Sequence, residues 1–293
     1  CRNGKFLYWF HNHGGHDYED RNPVWLSGGV EADGPEGRII LWSQPEIVLY
    51  DDDPFIRMSY PDLVEEDGRY FLTETQKDIA RVHEIDPTLL EGLWGQVETR
   101  GPSPAVSGAA PGSLPGAAPD TAGDRPLALP DLLRRDHARA DYGTLDLRAG
   151  FSLELWLRLE TLEAGQVLLD TRDATGAGVA LVTRDGGTVQ IVLNDGRTEC
   201  RWRSDAGLLA AGEMQHVVCI VDGGPKLILF VLNGRLCDGG EERQFGWGRY
   251  SPNLRTPPTA RWEISPAVQT WRVYGRALRV SEAIGNYRTG CEV

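Results

Sequence analysis

Between Phe151 and Leu159 the stretch FSLELWLRL alternates, placing Phe151, Leu153, Leu155, Leu157 and Leu159 on one face of an extended chain. Short apolar runs follow at Val167 to Leu169, Val179 to Val182, Val189 to Leu193, His216 to Val221 and Leu227 to Leu232. Between them stand Asp185-Gly186-Gly187, Asn194-Asp195-Gly196, Asp222-Gly223-Gly224 and Asn233-Gly234, which are turn formers. Strands this short, punctuated this often, predict an antiparallel β-sandwich.

The first hundred residues carry a different rhythm. Asn3-Gly4-Lys5-Phe6-Leu7-Tyr8-Trp9 is echoed 64 residues later by Asp67-Gly68-Arg69-Tyr70-Phe71-Leu72-Thr73. Each copy joins a dipeptide that tolerates positive φ to a basic residue and an aromatic strand, and repetition of such a unit predicts blades of a β-propeller. The first copy starts at its turn with no strand before it, as expected of the end of a longer protein. Between the two regions, Gly101 to Pro126 is dominated by Gly, Pro, Ala and Ser and reads as a linker. The expected organisation is therefore all-β: partial propeller over 1–100, linker over 101–126, sandwich over 127–293.

Composition limits the partners. The net charge of −13 is uneven, because residues 1–100 hold 20 Asp and Glu against 9 Lys and Arg, leaving only −2 for the rest. That field excludes nucleic acid and anionic membrane as partners of the first region, since phosphate binding needs basic clusters. No run of about 18 apolar residues predicts a membrane span. Cys1, Cys200, Cys219, Cys237 and Cys291 form no zinc-type pair. Cys219 reads as a packed thiol, and a disulfide among Cys200, Cys237 and Cys291 is compatible with secretion.

The sandwich region resembles a laminin-G-like, concanavalin A-like jelly roll of the kind appended to bacterial carbohydrate enzymes. The resemblance rests on FSLELWLRL, QHVVCIVDGGPKLILFVLNGRL and VQTWRVYGRALRVSEAIGNYRTG, in that order. The matching positions are Phe151, Trp156, His216, Asp222, Asn233, Gly234, Tyr274, Arg276, Ala277, Leu278 and Glu282. The resemblance implies that Tyr274 and Arg276 close the sandwich and that Asn233-Gly234 is a hairpin turn. Gln215 and Gln269-Thr270 depart from the family pattern, and this argues against the Ca2+ ion that the family would otherwise imply. No other cofactor is expected. The module is read as sugar-binding or architectural, within a secreted, periplasmic or extracellular protein.

Candidate chemistry lies before the linker. His11, His13, His16 and Asp17 crowd one segment, and His11 with His13 would share a strand face. Their spacing matches no known ligand set, so they are read, with Arg21, as contacts to sugar hydroxyls rather than to a metal. Around the second hairpin, Arg57, Tyr60, Asp62, Glu74 and Lys77 are expected to converge, since the strand from Tyr70 pairs back across the Asp67-Gly68 turn.

The stretch SYPDLVEEDGRYFLTETQ, with Trp42-Ser43-Gln44-Pro45-Glu46, resembles the sialidase-like propeller superfamily, although no strict Asp-box is present. The resemblance implies glycosidic bond cleavage with Tyr60 as nucleophile, Glu74 or Asp62 as its base, and Arg57 clamping a substrate carboxylate. The hairpin equally resembles five-bladed propellers, which would give acid and base roles to Asp62 and to Glu46 or Glu74, with His11, His16 and Arg21 holding hydroxyls. The first 97 or so residues supply two blades at most, so the pocket is expected to be incomplete in this chain. The alternatives are a non-catalytic carbohydrate-binding or adhesion protein, and a polysaccharide lyase using Tyr60 and a His.

Overall fold

The computed structural model describes residues 1–11, 21–51, 53, 56–76, 79–98, 113–114, 122–123, 150–258 and 262–290. They fall into two units: unit 1 takes the described residues up to 98 together with 279–289, and unit 2 takes those from 113 to 278 with 290.

Unit 1 holds two antiparallel sheets. In the first, β1 (Phe6–Phe10), β2 (Val24–Gly34) and β3 (Gly37–Trp42) lie in sequence order, with β4 (Glu46–Leu49) also paired to β2. The second is β5 (Ser59–Glu66), β6 (Arg69–Gln76) and β7 (Ile79–Glu84). The expected Asp67-Gly68 hairpin forms: both residues have positive φ, and Glu66 pairs with Arg69 across a two-residue turn. At the first copy Gly4 closes a turn onto the Cys1 carbonyl before β1 begins.

Two helices complete the unit, α1 (Pro87–Glu98) and α2 (Val280–Thr289), neither of which the strand rhythm announces. Asp86 opens α1, its side chain accepting from the Thr88 amide at 2.9 Å, and Pro87 occupies the first helical position, where a missing N–H costs nothing. Leu89, Leu90, Leu93 and Trp94 then share a core with Val24, Leu26, Leu49, Met58 and Leu72. The helix comes so close to β2 at Gly28 that a Cβ there would lie 2.8 Å from Trp94 Cδ1 and 3.0 Å from Leu93 Cβ. On the opposite face a Cβ at Gly29 would meet Ile40 and Trp42 at 2.7 and 2.8 Å. Two adjacent glycines thus admit a helix on one side and an indole on the other.

Unit 2 is the expected sandwich. One sheet runs β17 (Arg235–Leu236), β16 (Leu227–Leu232), β15 (Met214–Asp222), β10 (Gly150–Arg158), β20 (Val268–Tyr274) and β8 (Ser113–Leu114), with β18 (Gly248–Arg249) also paired to β16. The other runs β14 (Glu199–Arg203), β13 (Thr188–Asn194), β12 (Gly178–Arg184), β11 (Val167–Asp170), β19 (Trp262–Ile264) and β9 (Ala122–Gly123). Phe151, Leu153, Leu155 and Leu157 face Val179, Leu181, Ile191 and Leu193 in a single core, as the alternation requires. Asn233 and Gly234, both at positive φ, form the expected turn between β16 and β17. β8 and β9 come from the segment read as linker. Edge pairing uses backbone groups alone, so a composition poor in apolar side chains does not oppose it.

Cys200 and Cys237 are free thiols, as are Cys1 and Cys219, and Cys291 lies outside the described residues. Burial pushes the Cys219 thiol well up and the Cys237 thiol up to about 12. Among the described residues, no helix is long and apolar enough to cross a membrane.

Two outcomes follow from this packing. Gly28→Ala should lower stability by about 1–3 kcal/mol in chemical denaturation, because the helix backbone must shift. Gly29→Ala should cost less, because Ile40 and Trp42 can turn aside; equal costs would contradict the close approach of α1. Thiol titration of the native protein should label Cys1 and spare Cys219 and Cys237 until denaturant is added.

Candidate functional site

The polar groups of unit 1 gather where β2, β5, β6 and β7 meet the loop at Asp51. Register places Arg81 of β7 directly across from Glu74 of β6, and Arg81 Nη1 donates to Glu74 Oε1 at 2.9 Å. Arg81 Nη2 also lies 3.8 Å from Asp51 Oδ2. His83, two residues along the same face, brings Nε2 to 3.7 Å from Glu74 Oε1, beyond hydrogen-bond range. Glu74 and His83 are both fully buried. Among the described residues, Glu74 Oε2 and both ring nitrogens of His83 have no hydrogen-bond partner. Asn22 ties the corner together, donating from Nδ2 to the carbonyls of Asp51 and Asp53 at 2.8 and 2.9 Å. Arg21 Nη1 donates to Ser59 Oγ at 3.0 Å.

Tyr60 stands at the rim of this corner. Ser59 pairs with Thr75 and Asp62 with Thr73, so Tyr60 and Pro61 together oppose Glu74 in a β-bulge. Tyr60 has a φ of 51° and its side chain is 78 % exposed. Asp67, Lys226 and Asn233 also have positive φ, but they lie in the connections between paired strands. Tyr60 is, among the described residues, the one non-glycine residue that adopts this conformation inside a strand.

The sequence-derived candidates do not all converge. Tyr60 and Asp62 share the exposed face of β5, whereas Glu74 faces inward with Leu72. Asp62 Oδ1 accepts from the Leu63 amide at 2.9 Å. Arg57 is half-buried immediately before β5. His11 lies edge-on to Trp9, with ring centroids 4.5 Å apart. His13, His16 and Lys77 lie outside the described residues.

Glu46, offered by the five-bladed resemblance as an acid or base, is buried and directed at the N-terminus of α2. Its Oε1 accepts from the Ser281 amide and hydroxyl, both at 2.7 Å, and its Oε2 accepts from the Val280 amide at 3.0 Å. A buried helix start needs acceptors and favours negative charge, and Glu46 supplies both. Glu282 completes the cap by reaching back to the Arg279 amide at 2.8 Å. Sequence reasoning missed Asp51, Arg81 and His83. The alternation of Ile79-Ala80-Arg81-Val82-His83 puts Arg81 and His83 on one face, but the β6–β7 register was needed to set them beside Glu74.

Unit 2 contains a second buried polar group, on the face of β10, β15 and β20 turned away from the main core. Glu154 accepts from His216 Nε2 at 2.8 Å and from the Tyr274 hydroxyl, and Arg272 Nη1 lies 3.6 Å away. Burial pushes the Glu154 carboxyl up, but the hydrogen bonds from His216 and Tyr274 and the charge of Arg272 outweigh it and hold the carboxyl below its ordinary 4.5. Burial, reinforced by Glu154, raises the Tyr274 phenol. Glu154 and His216 are fully buried, so this trio joins three strands and is closed to substrate. Among the described residues, no group of three or more His, Cys, Asp or Glu is arranged to hold a metal ion.

Comparison with known proteins fits unit 2. Residues 134–283 match the family model described as the concanavalin A-like lectin/glucanases superfamily, and the chain belongs to that superfamily. A search of curated proteins finds no match. Among solved structures, the botulinum neurotoxin serotype D binding domain is similar at 10 % identity and a TM-score of 0.37, over 49 % of this chain. This chain spans only 37 % of that one. The Ruminococcus gnavus IT-sialidase CBM40 shows 13 % identity and a TM-score of 0.36, covering 47 % of this chain and 81 % of its own. A SAP-like pentraxin from Limulus polyphemus shows 11 % identity and 0.33, covering 47 % and 69 %.

The Glu154 carboxylate gives unit 2 an acid-sensitive element. Because its folded value lies below its unfolded value, its contribution is complete above about pH 4.5 and is lost as pH falls through the folded value. Glu154→Gln should therefore flatten the acid limb of a stability-against-pH curve. At pH 7 it should cost about 3 kcal/mol, measured by denaturant titration.

Proposed function

We propose that this chain is carbohydrate-active. In this reading unit 2 is a sugar-binding module of lectin type, and unit 1 supplies nucleophile-bearing strands of a sialidase-like exo-acting glycoside hydrolase. The observation that carries the second half is Tyr60. An aromatic residue at positive φ inside a strand costs of order 1–3 kcal/mol, and such strain collects where function requires it. The bulge turns the phenol outward beside a corner that holds two arginines and two carboxylates.

The chemistry assigned is double displacement. The Tyr60 oxygen attacks the anomeric carbon as the bond to the leaving oxygen breaks, Asp62 takes the phenolic proton and passes it to the leaving oxygen, and water later cleaves the glycosyl–tyrosine bond, its proton returning through Asp62 to the phenolic oxygen. Asp62 is preferred over Glu74 as the base because it shares the exposed face of Tyr60. Glu74 then positions Arg81, and Arg57 receives a substrate carboxylate. The two sheets of unit 1 are fewer than the four blades from which a propeller builds its pocket, so sugar binding is the readout expected of this chain by itself.

The test is titration of the 293-residue chain with N-acetylneuraminic acid, glucuronic acid and neutral hexoses. Carboxylated sugars should bind, and Arg57→Ala should weaken them about tenfold. Tyr60→Phe should leave their affinity within about twofold while removing any cleavage of an aryl glycoside. Sugar binding indifferent to Arg57 would support a lectin-only protein, and absence of sugar binding would refute both readings.

A further inference from the structure

On the face of the first sheet of unit 1 away from α1, Ser27, Trp25 and Ile47 are buried, but the part around Phe6, Tyr8 and Trp42 is aromatic and open. Register and alternation put Phe6, Tyr8 and Phe10 of β1 on the same side as Gly29, Glu31 and Asp33 of β2 and Arg38, Ile40 and Trp42 of β3. Phe6, Tyr8 and Trp42 are 36, 56 and 45 % exposed. Their rings form a continuous surface: Tyr8 stacks on Phe10 at 5.4 Å between centroids and 20° between planes, and lies 5.6 Å from Trp42. Gly29 lets the Trp42 ring settle against the backbone of β2. Two to four residues along the strands, about 7 to 14 Å from Trp42, the same face becomes charged. There Arg38 lies 2.9 Å from Glu31 and 3.5 Å from Asp33.

We infer that this face binds the pyranose rings of a neutral oligosaccharide. The inference rests on the carbohydrate-active reading and adds to it a site separate from Tyr60. A pyranose presents a face of C–H groups with slight positive charge, which suits the negative face of an aromatic ring, and an equatorial rim of hydroxyls. The platform matches both parts, with rings for the C–H face and the Glu31–Arg38–Asp33 group for the hydroxyls of the next sugar. Size selects against a protein partner. The exposed aromatic area is on the order of 300 Å², well short of the roughly 800 Å² per partner that a stable protein interface buries. Local charge selects against anions on this face, because Arg38 already serves the carboxylates of Glu31 and Asp33.

Affinity electrophoresis of the full chain in gels containing β-glucan, xylan, galactomannan or arabinan, with polygalacturonate as the anionic control, tests this. The wild type should be retarded by at least one neutral polymer, and any retardation by polygalacturonate should depend on Arg57 and survive changes at Tyr8 and Trp42. Tyr8→Ala with Trp42→Ala should weaken that retardation at least about tenfold, and Tyr8→Phe should preserve it. Neither position contributes to the core, so circular dichroism should be unchanged in both variants. Retardation unaltered in the double variant overturns the platform and leaves the carbohydrate-active reading standing, since another surface then binds the sugar. No retardation of the wild type by any polymer overturns the platform, while binding of N-acetylneuraminic acid dependent on Arg57 would still uphold that reading. Concentration-dependent self-association abolished by the double variant, without any change in sugar binding, would make the face a contact between copies and would also overturn the inference.

Discussion

A carboxylate taken out of water has to be met by donors or positive charge, and three buried glutamates organise this protein under that constraint. Glu46 meets the start of α2, Glu154 meets His216, Tyr274 and Arg272, and Glu74 meets Arg81. The first two use both oxygens and so act as fasteners. Glu74 differs, because one of its oxygens has no hydrogen-bond partner among the described residues and its neighbour His83 is equally unsatisfied. A buried carboxylate oxygen with no hydrogen-bond partner among the described residues thus sets Glu74 apart from Glu46 and Glu154.

The sequence made the sandwich legible because its strands alternate and its turns are spelled by Asn-Gly and Asp-Gly, both of them local signals. α1 was equally local, with Asp86-Pro87 at its start and Leu89, Leu90, Leu93 and Trp94 at helical spacing, yet the surrounding strand rhythm obscured it. The site was only half legible. Tyr60, Asp62 and Glu74 could be named from one hairpin, but the bulge that sets Tyr60 and Pro61 opposite Glu74 adds a residue that strict alternation does not foresee. The role of Glu46 was out of reach, because its partner lies 234 residues away and nothing in the Trp-Ser-Gln-Pro-Glu segment announces a helix end.

The residues that mark the superfamily are mostly scaffolding here. Tyr274 holds Glu154, Asn233 accepts from the His216 amide at 2.8 Å, and Glu282 caps α2. Gln215, which departs from the pattern of the resemblance, is buried and accepts from Asn233 Nδ2 at 2.6 Å, a polar contact that steadies the turn. Membership of the superfamily therefore accounts for the shape of unit 2. Function has to be sought in exposed groups that such scaffolding leaves free to vary.

The cap on α2 also sets an order of events. Unit 1 joins distant parts of the chain, and Glu46 gains its bonds to the Ser281 amide and hydroxyl only once Ser281 has been made. At about 5–20 residues per second, the intervening 234 residues take roughly 10 to 50 s to synthesise. All the described strands of unit 2 are complete before α2 emerges, so the strands of unit 1, made earlier than those of unit 2, gain their last described helix after them. During that interval the sheets of unit 1 lack the α2 donors that Glu46 meets in the finished fold, and a nascent chain stalled near residue 270 would present unit 1 to chaperones and proteases in an unfinished state.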